Sequence, residues 1–108
     1  MTAYLALFDE RVAAAAPCCF LCDRYRHMLT TKGNDAEQML QGAMCEGVNT
    51  SCLLAGFVPK PIFAGGVEAD IFPAVGFMAE VERLRRFYEL AGRPDAFEHC
   101  LAPGRHAY

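Results

Sequence analysis

The most regular pattern of apolar and polar positions lies between Pro73 and Gly92. There Phe77, Val81, Leu84, Tyr88 and Ala91 recur at spacings of four, three, four and three. That rhythm draws one apolar stripe along an α-helix and leaves Glu80, Glu82, Arg83, Arg85, Arg86 and Glu89 mostly off it, predicting a helix over 73–91. Gly92 and Pro94 supply its stop. Before it, Ile62-Phe63-Ala64-Gly65-Gly66-Val67 has the length and bounding signals of a strand, with Pro59-Lys60-Pro61 as punctuation. After it, residues 96–102 make a second short strand, and Pro103-Gly104 opens a turn.

Nearer the N-terminus the pattern decides less. Residues 2–8 are apolar and alanine-rich, suiting the tail of a helix that ends near Asp9-Glu10-Arg11. Residues 12–20 form one apolar run, helical by propensity. Its brevity and Pro17 also allow a buried parallel strand, which need not alternate, and periodicity does not separate the two. Ala36, Met39, Leu40, Ala43 and Met44 outline a short helix with Asn34 or Asp35 as N-cap. Asn49-Thr50-Ser51 caps another through Ala55, stopped by Gly56. Strand, short helices, strand, long helix, strand is the order of an α/β chain: a three-layer unit with a small parallel sheet, strands near 12–20, 62–67 and 96–102, and crossover helices.

Composition bears on partners. Of 108 residues, 54% are hydrophobic and 21% charged, which is apolar for so short a chain and predicts a covering partner, most simply a second copy in a homo-oligomer. A net charge of -3, with scattered arginines, excludes an electrostatic footprint for nucleic acid. The start lacks the basic region and cleavage site of a signal peptide, and no apolar run reaches the roughly 18 residues of a membrane span. These features predict a cytoplasmic chain with no membrane partner. The cysteines, Cys18, Cys19, Cys22, Cys45, Cys52 and Cys100, sit mostly in apolar runs and read as buried free thiols. Cys19-Phe20-Leu21-Cys22 is a C-x-x-C, but a zinc site wants a second pair at matching spacing, which Cys45, Cys52 and Cys100 do not form. The expectation is no metal and no cofactor.

Catalytic groups of open parallel sheets gather beyond the carboxyl ends of the strands. Asp70 follows the predicted strand ending near Val67, and His106 follows the one ending near Ala102. An acid and then a histidine after successive strands, with a helix between, is the order in which an α/β-hydrolase presents its acid and base. The plainer reading makes Asp70 a cap for the next helix and His106 a polar tail residue. His27 lies in the basic stretch Arg24-Tyr25-Arg26-His27, read as a solvated face, and His99 lies within a strand.

The segments Thr2-Ala3-Tyr4-Leu5-Ala6, Asp9-Glu10-Arg11-Val12-Ala13-Ala14-Ala15-Ala16-Pro17, Asp35-Ala36-Glu37-Gln38 and Phe57-Val58-Pro59-Lys60-Pro61 together resemble the acetylxylan-esterase-like α/β-hydrolases. So do Asp70-Ile71-Phe72-Pro73, Arg86-Phe87-Tyr88 and Pro103-Gly104-Arg105-His106-Ala107-Tyr108. The resemblance covers essentially the whole chain and implies the C-terminal half of such a hydrolase, one partial domain over 1–108. It carries the triad acid onto Asp70 and the base onto His106. The glycine-rich nucleophile elbow precedes the segment that Thr2-Ala3-Tyr4-Leu5 resembles, so it falls on no residue here. Ser51, the only serine, sits in Asn49-Thr50-Ser51-Cys52-Leu53, which is not a G-x-S-x-G turn and reads as a helix cap. The expectation is a part of a carboxylic-ester hydrolase that is inactive alone and meets an ester substrate only if a nucleophile comes from elsewhere. The alternative is a non-catalytic, self-associating structural or interaction module.

Overall fold

The computed structural model describes residues 2–30 and 38–106. The chain runs α1 (Thr2–Phe8), α2 (Arg24–Thr30), α3 (Thr50–Ala55), β1 (Ile62–Ala69), α4 (Ala74–Leu90), a 3-10 turn (Pro94–Ala96) and β2 (Phe97–Arg105). It is a small α/β domain whose two strands are parallel neighbours, joined by α4 as the crossover helix.

The expected strand over 12–20 is corrected in form. Residues 13–19 run parallel to β1 but make only the isolated bridges Ala15 to Ile62 and Cys18 to Gly65. Three N–H groups on the two sides follow the parallel pattern: Ala15 donates to the Pro61 carbonyl, Phe63 to Ala15 and Gly65 to Pro17, at 3.0 to 3.1 Å. Pro17 has no N–H to continue it, so one rung is missing. The ladder resumes where the Cys19 N–H donates to Gly65 at 2.9 Å. The two glycines of β1 reflect close approach from neighbouring elements. A Cβ on Gly65 would lie 2.7 Å from Cys18 Sγ, and one on Gly66 3.1 Å from the Phe77 ring.

α4 buries Phe77, Val81, Leu84 and Tyr88 as the stripe predicts, against a core that includes Phe20, Leu21, Leu54, Phe57, Ile62, Ala64 and Phe97. Full burial of each large apolar side chain contributes about 1.5–3 kcal/mol. The Tyr88 ring stacks on Phe97 with centroids 5.5 Å apart, and its hydroxyl donates to the Lys60 carbonyl. Burial pushes this phenol up to about 12. The stop is a Schellman arrangement: Gly92 takes φ +70°, its N–H donates to Glu89, and the Arg93 N–H reaches back to Tyr88 at 2.9 Å. Ala91 ends the stripe outside the core, as an exposed C-cap.

Glu80 departs from the polar role the pattern gives it and is fully buried. It lies three residues after Phe77 and four before Leu84, hence on the buried face. One carboxylate oxygen accepts the Ser51 N–H at 2.8 Å and the Thr50 hydroxyl at 3.2 Å, at the start of α3. The other pairs with the Arg83 guanidinium, which also reaches Asp23 at 3.0 Å. Burial pushes Asp23 up, but the Arg26 N–H and the Arg83 guanidinium outweigh it and hold the carboxyl below the usual range. The Thr50 hydroxyl oxygen also accepts the Cys22 N–H at 3.0 Å, and Asn49 Oδ1 takes the Arg24 N–H at 2.8 Å.

Two local expectations change with this packing. Arg24 and His27 do not form a solvated face: both are buried, with Arg24 over the Phe20 ring and His27 4.7 Å from Phe72. Asn49 occupies the N-cap position of α3, while Ser51 lies inside the helix with Oγ buried and without a hydrogen-bond partner. The expected helix near residue 36 begins outside the described residues, and residues 41–47 form turns. No helix of the described residues is long and apolar enough to cross a membrane.

Glu80→Ala removes the acceptor of the buried Ser51 N–H and the partner of Arg83, while the Thr50 hydroxyl keeps the Cys22 carbonyl at 3.1 Å, so it is expected to cost roughly 2–4 kcal/mol of stability. Urea denaturation followed by circular dichroism measures the shift in midpoint; an unchanged midpoint would count against this account of α3 and α4.

Candidate active site

β1 and β2 run parallel, so residues just beyond their ends emerge on one edge of the sheet. Asp70 is the first residue after β1 and His106 the first after β2. Their meeting depends on a local irregularity. Val67 pairs with Ala102, but Ala69 pairs with Arg105, so β2 spends one residue more than β1 over this step. Without that bulge Ala69 would face Gly104. Pro103 and Gly104 lie inside the extra length, and Gly104 takes φ +141°, which only glycine adopts readily. The expected turn at Pro103-Gly104 is therefore a bulge within the strand, and its effect is to advance His106 level with Asp70.

The two side chains touch: His106 Nδ1 lies 2.6 Å from Asp70 Oδ1. The Asp70 side chain is 2% exposed and the His106 side chain 31%. A shielded acid thus meets an imidazole that keeps one side toward solvent. Asp70 Oδ1 also accepts the Phe72 N–H at 3.3 Å, a local turn that fixes the carboxylate. Asp70 does not cap the next helix, since the N-cap of α4 is Pro73 and makes no side-chain bond; it closes that turn and holds His106 with the same oxygen. Phe72 is buried and its ring lies between those of His27 and His106, 4.7 and 6.1 Å away. A carboxylate on Nδ1 selects the tautomer and steadies the protonated imidazole, the role of a triad acid toward its base.

A third group joins them that the sequence reading passed over. The Sγ of Cys19, a carboxylate oxygen of Asp70 and a ring nitrogen of His106 all lie within 4.8 Å of one another. Cys19 sits at the end of the segment beside β1 and takes φ +49°, rare for a residue with a side chain. Burial, then the hydrogen bond to Asp70 and its charge, push the Cys19 thiol up to about 11. The rule that singled out Asp70 and His106, position just past a parallel strand, also selects Cys19. In sequence that signal is hidden, since Cys19 lies inside an apolar run and forms half of a C-x-x-C. Cys22 takes no part in this cluster: its Sγ approaches the Asp23 carbonyl, and a Cβ on Gly76 of α4 would lie 2.5 Å from it.

The remaining candidates lie elsewhere. His99 stacks on Phe97 in β2 with centroids 6.2 Å apart and has Arg85 at 3.5 Å. Ser51 is fully buried in α3. A cleft of about 520 Å³ opens at the other end of the strands, lined by residues including Ala14, Ile62, Phe63, Arg93, Asp95 and Glu98.

This architecture recurs in carbohydrate esterases. The chain superposes on a carbohydrate esterase family 15 glucuronoyl esterase from Caldicellulosiruptor kristjansonii with a TM-score of 0.74 and 17% identity, over 97% of this chain and 35% of the other. It also matches a promiscuous family 15 esterase from the marine bacterial metagenome, with a TM-score of 0.67 and 16% identity, over 97% of this chain and 34% of the other. The chain thus shares the fold of part of those two proteins, and spans about a third of their length. No protein-family model and no curated protein matches the sequence.

The burial pattern predicts two classes of thiol. Cys18, Cys45, Cys52 and Cys100 are exposed, which corrects their reading as buried thiols, while Cys19 and Cys22 are buried and pushed up to about 11 and about 12, chiefly by burial. An aromatic disulfide reagent at neutral pH is expected to titrate four thiols quickly and the last two only on denaturation. Six fast equivalents would contradict this packing.

Proposed function

We propose that this chain supplies the acid and base of a carboxylic-ester hydrolase, Asp70 and His106, and has no ester turnover on its own. The carrying observation is the 2.6 Å contact between a shielded Asp70 and a half-open His106, both one residue past neighbouring parallel strands. The fold it shares with the two carbohydrate esterases supports the reading. In a complete hydrolase the imidazole takes the proton of a hydroxyl as that hydroxyl attacks the ester carbonyl, and Asp70 steadies the imidazolium. The only serine cannot serve, because Ser51 is sealed in α3. An ester becomes a substrate only when the nucleophile, with the backbone N–H groups that hold the oxyanion, is supplied from elsewhere; one such donor is typically worth about 2.7–4 kcal/mol.

The test is hydrolysis of an aryl acetate by the wild-type chain, by His106→Ala and by Ser51→Ala, with chelator present. All three are expected to match buffer. Turnover that His106→Ala abolishes would reveal a nucleophile and overturn the proposed silence.

Exposed apolar side chains favour a second reading, that of a self-associating module in the cytoplasm. Leu5, Phe8, Leu29 and Leu90 are 58%, 77%, 86% and 86% exposed. Covering them by a two-fold dimer predicts a dimer in sedimentation velocity at micromolar concentration with reductant present. A clean monomer would exclude it.

A further inference from the structure

The Cys19, Asp70 and His106 cluster offers one sulfur, one oxygen and one nitrogen donor, contributed by three segments far apart in sequence. We infer that these three side chains form a binding site for a borderline-soft divalent transition-metal ion, of which Zn2+ is the type, with the fourth coordination position open. The inference goes beyond the acid and base reading: it needs the convergence of the three groups, not their use in ester chemistry.

Three observations carry it. First, the donor set is one that zinc takes in proteins: thiolate, imidazole and carboxylate, with three protein ligands being the usual number when a position stays open to water. Metal–ligand distances of about 2.0–2.3 Å put two ligands of one tetrahedral ion about 3.3–3.8 Å apart. The three donors lie within 4.8 Å, so the pair farthest apart needs to close by roughly 1–1.5 Å, while His106 and Asp70, 2.6 Å apart, need to open by roughly 0.7 Å and exchange their hydrogen bond for bonds to the ion, all within the reach of side-chain rotation. Second, the carboxylate is not an exposed acid that happens to lie nearby. Its side chain is 2% exposed, and it has both other donors at hand, His106 at 2.6 Å and Cys19 Sγ within 4.8 Å. Third, Cys19 holds a left-handed backbone, φ +49°, pinned by its N–H to Gly65, so the thiol's place in the cluster is maintained against local strain.

The chemistry balances simply. The ion bonds to Cys19 sulfur and the thiol proton leaves to solvent; the proton that His106 Nδ1 shares with Asp70 passes through solvent to Nε2, so the imidazole coordinates through Nδ1 in neutral form and Asp70 as its anion; no electrons move. Burial, and then Asp70, work against a bare thiolate here, and a divalent charge between sulfur and carboxylate reverses that balance. Cys22 stays outside, so the site uses one half of the C-x-x-C and finds its other ligands after β1 and β2.

The test uses the untagged full chain titrated with Co2+ under reducing, anaerobic conditions, followed by displacement with Zn2+. Wild type and Cys18→Ser are expected to give a one-to-one thiolate-to-cobalt charge-transfer band that Zn2+ abolishes. Cys18 is the control because its exposed thiol adjoins Cys19 without joining the cluster. Cys19→Ser is expected to lose the band, and His106→Ala and Asp70→Asn to weaken binding at least ~10-fold. Far-UV circular dichroism confirms each fold, and His106, at the exposed end of β2, is the substitution least able to disturb it. No band in folded wild type, or a wild-type band in Cys19→Ser, overturns the inference. Neither result bears on the ester assay, which is run in chelator.

Discussion

A single buried carboxylate organises the helical side of this molecule. Glu80 receives the start of α3 through the Ser51 N–H and the Thr50 hydroxyl, and receives Arg83 from its own helix. An anion at a helix N-terminus satisfies donors that the helix itself leaves open. Because Thr50 also binds the backbone of Cys22, and Arg83 also binds Asp23, the same group fixes where the chain goes after it leaves the side of β1. That exit sets the position of Cys19, three residues earlier. The helical packing and the cluster at the strand ends are thus tied to one charge, which is tolerated in the core because hydrogen bonds meet it.

How much of this the sequence discloses depends on whether a residue's role is set locally. α4 is legible because its stripe recurs over a long run and its stop uses Gly92, whose positive φ no larger residue adopts cheaply. β1 and β2 are legible from their bounding signals. The run over 12–20 is not, since a buried strand and a buried helix share one composition and the outcome rests on rungs made with β1. Glu80, Arg24 and His27 mislead for a related reason: side-chain type argues for solvent, while partners distant in sequence make burial tolerable.

The site divides the same way. Asp70 and His106 are legible because the topology of a parallel sheet singles out positions one residue beyond strand ends. The bulge that makes them meet is written in Pro103-Gly104 but looks like a turn until the register is known. Cys19 obeys the same topological rule, and only the ambiguity of its own segment concealed it.

The four accessible thiols have a consequence for the chain as a material. Cys18 and Cys100 flank Gly65 on either side of β1, while Cys45 lies in the turns and Cys52 on α3. A molecule with two reactive points can only make pairs, rings or linear chains, whereas one with four can branch. Intermolecular disulfides at these thiols can therefore join copies of the chain into a branched network rather than into pairs or lines alone.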